Sequence, residues 1–99
     1  MRPIHLARMD KARPVLVLTR TAVRSRMTSV TVAPITSRVR GLATEVAVGR
    51  QNGLDQTSVI SCDNITTIRA ELLGRHLGAL LPAQEDDLTA AILAAFDLT

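Results

Sequence analysis

No tryptophan and no tyrosine occur in this chain, and Phe96 is its sole phenylalanine. Any core must therefore be aliphatic, and an apolar share of 46% is enough to build one. Cys62 is the one cysteine, which excludes an internal disulfide and a cysteine-based metal cluster; the expectation is a small buried hydrophobe. No apolar run approaches the roughly 20 residues needed to span a bilayer. The opening segment MRPIHLARMDKARP lacks the unbroken apolar stretch of a secretory signal. A cytoplasmic protein with no membrane partner is expected. Gly-rich nucleotide loops and nucleophile-elbow patterns are also missing, and neither His5 nor His76 has a carboxylate pair at ligand spacing. Neither a metal nor a cofactor is expected.

The length of 99 residues bounds the chain to a single domain over 1–99. Its charge is unevenly spread. Residues 1–50 carry ten cations against two acids, a balance of +8, and residues 51–99 carry two cations against seven acids, a balance of −5. Arginine outnumbers lysine eleven to one, and arginine is the residue for forked contacts to phosphate. A polyanionic partner fits better than a membrane surface, because the arginines lie on strand-like segments rather than along one basic amphipathic helix. If the acids of 51–99 lie away from the binding face, the molecule is a dipole that turns its basic side to that partner.

The organising stretch is Thr28–Gly41, TSVTVAPITSRVRG. Val30, Val32 and Ile35 are its β-branched positions and read as a strand over about Ser29–Thr36. Pro34 cannot donate to a ladder and marks a strand edge or bulge. Before it, residues 3–9 alternate imperfectly as a first strand, and Asp10-Lys11-Ala12 is a tight connection. Arg13–Arg20 holds four consecutive apolar residues between polar ones, the pattern of a strand buried on both faces. Thr21–Met27 is a loop or one helical turn. Glu45–Val48, Thr57–Cys62 and Asn64–Ile68 read as further short strands, with Asn52-Gly53 a turn. Arg69–Leu73 suits a single helical turn, and a last strand runs over Arg75–Leu81. In Pro82–Asp97, Leu88, Ala91, Ile92, Ala95 and Phe96 form one stripe of an amphipathic helix. Glu85, Asp86 and Asp87 stabilise its N-terminal end. The expected fold is mainly β with α: a small twisted barrel of five to seven short strands closed by a C-terminal helix.

The central strand ends in Thr36 and Ser37, then Arg38 and Arg40, so hydroxyls and positive charge reach one rim. That arrangement can hold a phosphate; the alternative is an ordinary strand followed by a solvated turn. Together with the acid–amide pair Asp63-Asn64, this kit suits cleavage of RNA without a metal. The substrate's 2′-hydroxyl is the nucleophile, so the protein need only align it, stabilise the phosphorane and assist proton transfer. Arginine stabilises charge but is an awkward base. His5 or His76 would be an easier proton carrier, with plain packing or solvent exposure the alternative for each.

RPVLVLTR at 13–20, VTVAPITSRVRGLATEV at 30–46 and NGLDQTSVISCDNITTI at 52–68 resemble the MazF/PemK family of type II toxin–antitoxin ribonucleases, and look most like its mycobacterial members. The resemblance extends through the acidic C-terminal helix. It implies an SH3-like barrel and a homodimer. It also implies sequence-specific, metal-independent cleavage of single-stranded RNA, leaving a 2′,3′-cyclic phosphate and a 5′-hydroxyl, with a cognate antitoxin blocking the site through an extended acidic segment. It places Arg13 as the catalytic arginine, stabilising charge and moving a proton, and Thr36 as the catalytic threonine that positions the scissile phosphate. Ser37 would add a second hydroxyl, Asp63 and Asn64 would read bases, and Arg38 and Arg40 would hold flanking phosphates. Messenger, ribosomal and transfer RNA all remain open as substrate.

Two features depart from the family pattern. Asp10-Lys11-Ala12 leaves almost nothing of the usual longer first loop. The aromatic residues of the first strand are missing too, so arginine planes or shape must replace aromatic stacking of bases. The short loop supports a second reading, a catalytically degenerate RNA-binding barrel. A third, a protein-binding barrel like the gyrase-poisoning toxins, would need an aromatic-ended tail. This chain ends Phe96-Asp97-Leu98-Thr99.

Overall fold

The computed structural model describes residues 1–98. Its strands are β1 (Pro3–Arg8), β2 (Ala12–Val17), β3 (Ser29–Thr36), β4 (Glu45–Val48), β5 (Ser58–Ser61), β6 (Thr66–Arg69) and β7 (Leu73–Ala79). One helical turn, α1 (Thr21–Arg24), lies between β2 and β3, and α2 (Glu85–Ala95) follows β7. The strands form one antiparallel sheet in the order β4-β5-β3-β2-β1-β7, with β6 pairing the other half of β3. This is the upper end of the expected strand count, curled into a half-barrel whose end strands β4 and β7 do not pair with each other among the described residues.

β3 is the centre. It pairs β2 along one side; along the other it pairs β6 through Ser29–Val32 and β5 through Ile35–Thr36. Pro34 falls between those two partners, where the ladder changes strand and no N–H is needed on that side. This explains how a buried proline sits inside the central strand of the fold.

β2 and β3 are buried on both faces. Leu16, Ala33 and Ile35 join the larger core cluster with Ile4, Ile60 and Leu80, whereas Val15, Val17, Val30 and Val32 form a second cluster with Ala7. Period-2 alternation divides them between the two faces. α2 covers the larger cluster with Leu88 and Ala91, and Ile92 and Ala95 pack against it. Phe96 departs from the expected stripe: it caps the helix and is 54% exposed, because α2 stops at Ala95. Pro82–Gln84 form a 3-10 turn ahead of α2. Glu85, Asp86 and Asp87 occupy the first turn of α2 as expected, and Glu85 also pairs with Arg2 at 3.1 Å.

Other boundaries shift by a few residues. β2 ends at Val17 rather than Arg20. β7 begins at Leu73, across Gly74, because Ala7 of β1 pairs there after two register shifts. Asn52 and Gln84 are buried and joined: Asn52 Nδ2 donates to Gln84 Oε1 (2.7 Å) and to the Ala79 carbonyl (3.0 Å), and Gln84 Nε2 donates to the Ala47 carbonyl (3.2 Å). This pair ties the Arg50–Asn52 turn to β4, to the end of β7 and to the start of α2. No helix among the described residues is long and apolar enough to cross a membrane.

Candidate functional site

β1 and β2 form a hairpin whose pairing runs to Arg8 opposite Ala12, leaving Met9, Asp10 and Lys11 as the whole connection. Arg13 is thus at the very start of β2. In the β2–β3 ladder Val15 stands opposite Pro34. Arg13 lies two residues before Val15 and Thr36 two residues after Pro34, so both side chains emerge on the same face at the same end of the pair. Residues 23 apart in sequence are thereby brought together by register alone.

They open into a groove of about 630 Å³ lined by Arg13, Thr36 and Ser37 on one side, Gly53–Gln56 and Ser58 on another, and Arg75, His76 and Leu77 of β7 on a third. Lys11 also lines it. Arg13 Nη2 reaches the Asp10 carboxylate at 3.2 Å, a pair with one exposed partner and thus a weak one. Arg13 Nε is buried with no hydrogen-bond partner. A buried charged donor left unpaired costs free energy that an incoming anion would recover. Thr36 Oγ1 accepts the Arg38 N–H at 3.1 Å, so its own O–H remains free to donate.

The other candidates are placed as follows. His76 lines the groove, while His5 is its cross-strand partner, with ring centroids 5.2 Å apart edge to face. His5 Nδ1 faces the Gly74 carbonyl at 3.0 Å and so carries the proton there; His5 does not line the groove. Arg38 and Arg40 are exposed on the segment after Thr36, and their guanidinium groups form no ion pair among the described residues. Asp63 and Asn64 sit on a 3-10 turn away from the groove lining; Thr44 Oγ1 donates to Asp63 Oδ2 (2.7 Å) and Asn64 Nδ2 to Ser61 Oγ (2.8 Å). Cys62 is buried, and its thiol is pushed up from 9.0 to about 11 by burial and by the Asp63 carboxylate.

Lys11 and Arg75 are groove cations that sequence reasoning did not single out. Lys11 belongs to the three-residue β1–β2 connection, so strand parity does not fix its side, and only the hairpin's geometry brings it to the groove. Arg75 likewise carried no signal, because only the fold of β7 against β1 brings it here. Of the seven acids in 51–99, Asp55 alone lines the groove, opposite three cations. Among the described residues no cluster of three metal-ligating side chains occurs.

Residues 3–96 match the model of a protein family described as PemK-like, MazF-like toxin of type II toxin–antitoxin system. The chain is 63% identical over 98 residues to endoribonuclease MazF3 of Mycobacterium tuberculosis, covering 99% of this chain and 95% of that one. It superposes on the Mycobacterium tuberculosis toxin MazF-mt6 with a TM-score of 0.97 at 62% identity, over 99% of each chain. A mycobacterial endoribonuclease in complex with its cognate antitoxin gives a TM-score of 0.87 at 26% identity, over 98% of this chain and 93% of that one.

Proposed function

This chain belongs to the PemK-like, MazF-like family of type II toxins, and we propose that it cuts single-stranded RNA by attack of the substrate's own 2′-hydroxyl. It is an endoribonuclease toxin, as its 63% identity to an endoribonuclease over nearly its full length supports. The single observation that carries the chemistry is the unpaired, buried Arg13 Nε at the groove that Thr36 shares.

The 2′-oxygen bonds to phosphorus while the bond to the 5′-oxygen breaks, leaving a 2′,3′-cyclic phosphate and a 5′-hydroxyl. Charge accumulates on the non-bridging oxygens of the phosphorane. Arg13 offers Nε and Nη2 as a fork to those oxygens, and Nη2 exchanges Asp10 for phosphate. Thr36 donates its free O–H to the same phosphate, with Ser37 beside it. His76 lines the same groove and carries the proton lost by the 2′-hydroxyl to the departing 5′-oxygen. Since Arg13 supplies the charge stabilisation, the scheme calls for no metal. Lys11 and Arg75, with Arg38 and Arg40 beyond, hold neighbouring phosphates, and Asp63 and Asn64 read bases further along the strand. The protein acts as a homodimer, and a cognate antitoxin occupies the groove with an extended acidic segment.

The test is cleavage of a long unstructured RNA in EDTA, with end-group analysis. Wild type is expected to give discrete cuts bearing cyclic phosphate. Arg13→Ala should lose about 10²–10³-fold in rate and Thr36→Ala about 10–10²-fold, as for removal of preorganised donors. Binding without cutting by wild type would instead make this a degenerate RNA-binding barrel. Cutting that survives Arg13→Ala would reassign the site to other groove residues.

A further inference from the structure

Glu45 opens β4 outside the groove, yet its carboxylate is the hub of the segment that follows Thr36. Its oxygens accept the N–H of Arg40 (3.2 and 3.3 Å), of Gly41 (2.9 Å) and of Leu42 (3.1 Å). Its own N–H donates back to the Leu42 carbonyl at 3.1 Å. Successive backbone N–H groups converging on one carboxylate form a concave nest, and hydrogen bonds to an ionised acceptor are about twice as strong as neutral ones. The convergence needs a left-handed residue in the middle, and Gly41 supplies it at φ +74°. The nest is tied to the groove through Arg38, whose N–H rests on Thr36 Oγ1 at 3.1 Å. A chain of contacts therefore runs from the Glu45 carboxylate through residues 40–42 to the hydroxyl of Thr36.

We propose that Glu45 is a positioning residue for Thr36. By clamping residues 40–42 it keeps the Arg38 N–H on Thr36 Oγ1, so that the hydroxyl turns its proton to the scissile phosphate. Val39 and Leu42, 52% and 46% exposed, ride on the same segment. The carboxylate thus gathers the N–H groups of a loop that bears exposed apolar side chains and two arginines without an ion pair. This inference rests on the ribonuclease reading, because the orientation of Thr36 matters only where a phosphate meets it.

A residue that merely stabilises β4 would lower activity equally whether or not Thr36 is present. One that acts through Thr36 would not. The experiment measures kcat, KM and melting temperature for wild type, Glu45→Ala, Glu45→Gln, Thr36→Ala and the Glu45→Ala/Thr36→Ala double variant. Amide hydrogen exchange at residues 38–42 is followed in wild type and both Glu45 variants. Glu45→Ala is expected to lower kcat about 10–100-fold with KM changed less than about 3-fold, and to cost under about 2-fold in the Thr36→Ala background. Glu45→Gln keeps Oε1, which takes three of the four bonds, and should stay within about 5-fold of wild type, with the amides still protected. Equal losses in both backgrounds, or unchanged amide exchange in Glu45→Ala, would overturn the proposal. Wild type that cuts no RNA would count against the ribonuclease reading, and the exchange measurement would still decide the clamp.

Discussion

Cys62 shows how a residue's surroundings set its chemistry. It sits in the larger core cluster beside Asp63, and both burial and that carboxylate disfavour the thiolate, raising its pKa from 9.0 to about 11. Between those values the folded chain keeps a proton that the unfolded chain has lost. The contribution to stability is complete below about pH 9 and fades as pH rises towards about 11. At pH 10 wild type should have lost more stability relative to pH 7 than Cys62→Ala loses over the same range, as read from urea unfolding. Identical pH profiles for the two proteins would mean that the thiol is not shifted. Its burial was legible from composition. The burial of Asn52 was not, since asparagine before glycine signals an exposed turn. The turn does form, but its side chain is drawn inwards by Gln84, a partner 32 positions along the chain.

At the scale of elements, the groove wall depends on how closely the Arg50–Asn52 turn approaches β7. A Cβ on Gly78 would lie 2.0 Å from the Asn52 carbonyl oxygen, and one on Gly53 would lie 2.1 Å from that of Leu77. Backbone cannot yield as a flexible side chain can, so Gly78→Ala should destabilise by more than about 3 kcal/mol. It should also displace the wall formed by Gly53–Gln56. Gly49→Ala is the control: its nearest contact would be an ordinary 3.9 Å, and it should cost less than about 1 kcal/mol. Thermal unfolding with cleavage rates checks both, and equal melting temperatures for the two variants would refute the packing argument. The shortened β1–β2 connection has a clear consequence here as well. With three residues in the loop, Asp10 reaches back to Arg13. The position of β7 was readable from sequence, but its start was not, because two register shifts against β1 move its pairing to Leu73.

Across the whole molecule, the proposed function makes RNA affinity a matter of phosphate neutralisation. Lys11, Arg13 and Arg75 line the groove, and the proposal adds the exposed Arg38 and Arg40 on the segment after Thr36. Neutralising three to five phosphates of a single strand predicts a slope of log affinity against log salt of about −2 to −3.5. Binding to the Thr36→Ala variant, titrated across salt concentrations, measures it. A slope shallower than about −1 would mean that these cations do not meet the RNA backbone.

The sequence by itself determined the strand content, the two-sided burial of β2, the acidic start of α2 and the motifs that mark the family, whereas the two-sided burial of β3 around Pro34 came only from its place at the centre of the sheet. Those sequence-determined features follow from local pattern: alternation, turn residues, and the helical period each act within a few positions. Pairing decided the rest. Only the β2–β3 register sets Arg13 beside Thr36, only the β1–β7 ladder brings Arg75 and His76 to the groove, and only the return of β4 places Glu45 under the loop after Thr36. Each of those contacts joins segments that share no local pattern, so it exists in the folded sheet and nowhere in the one-dimensional chain.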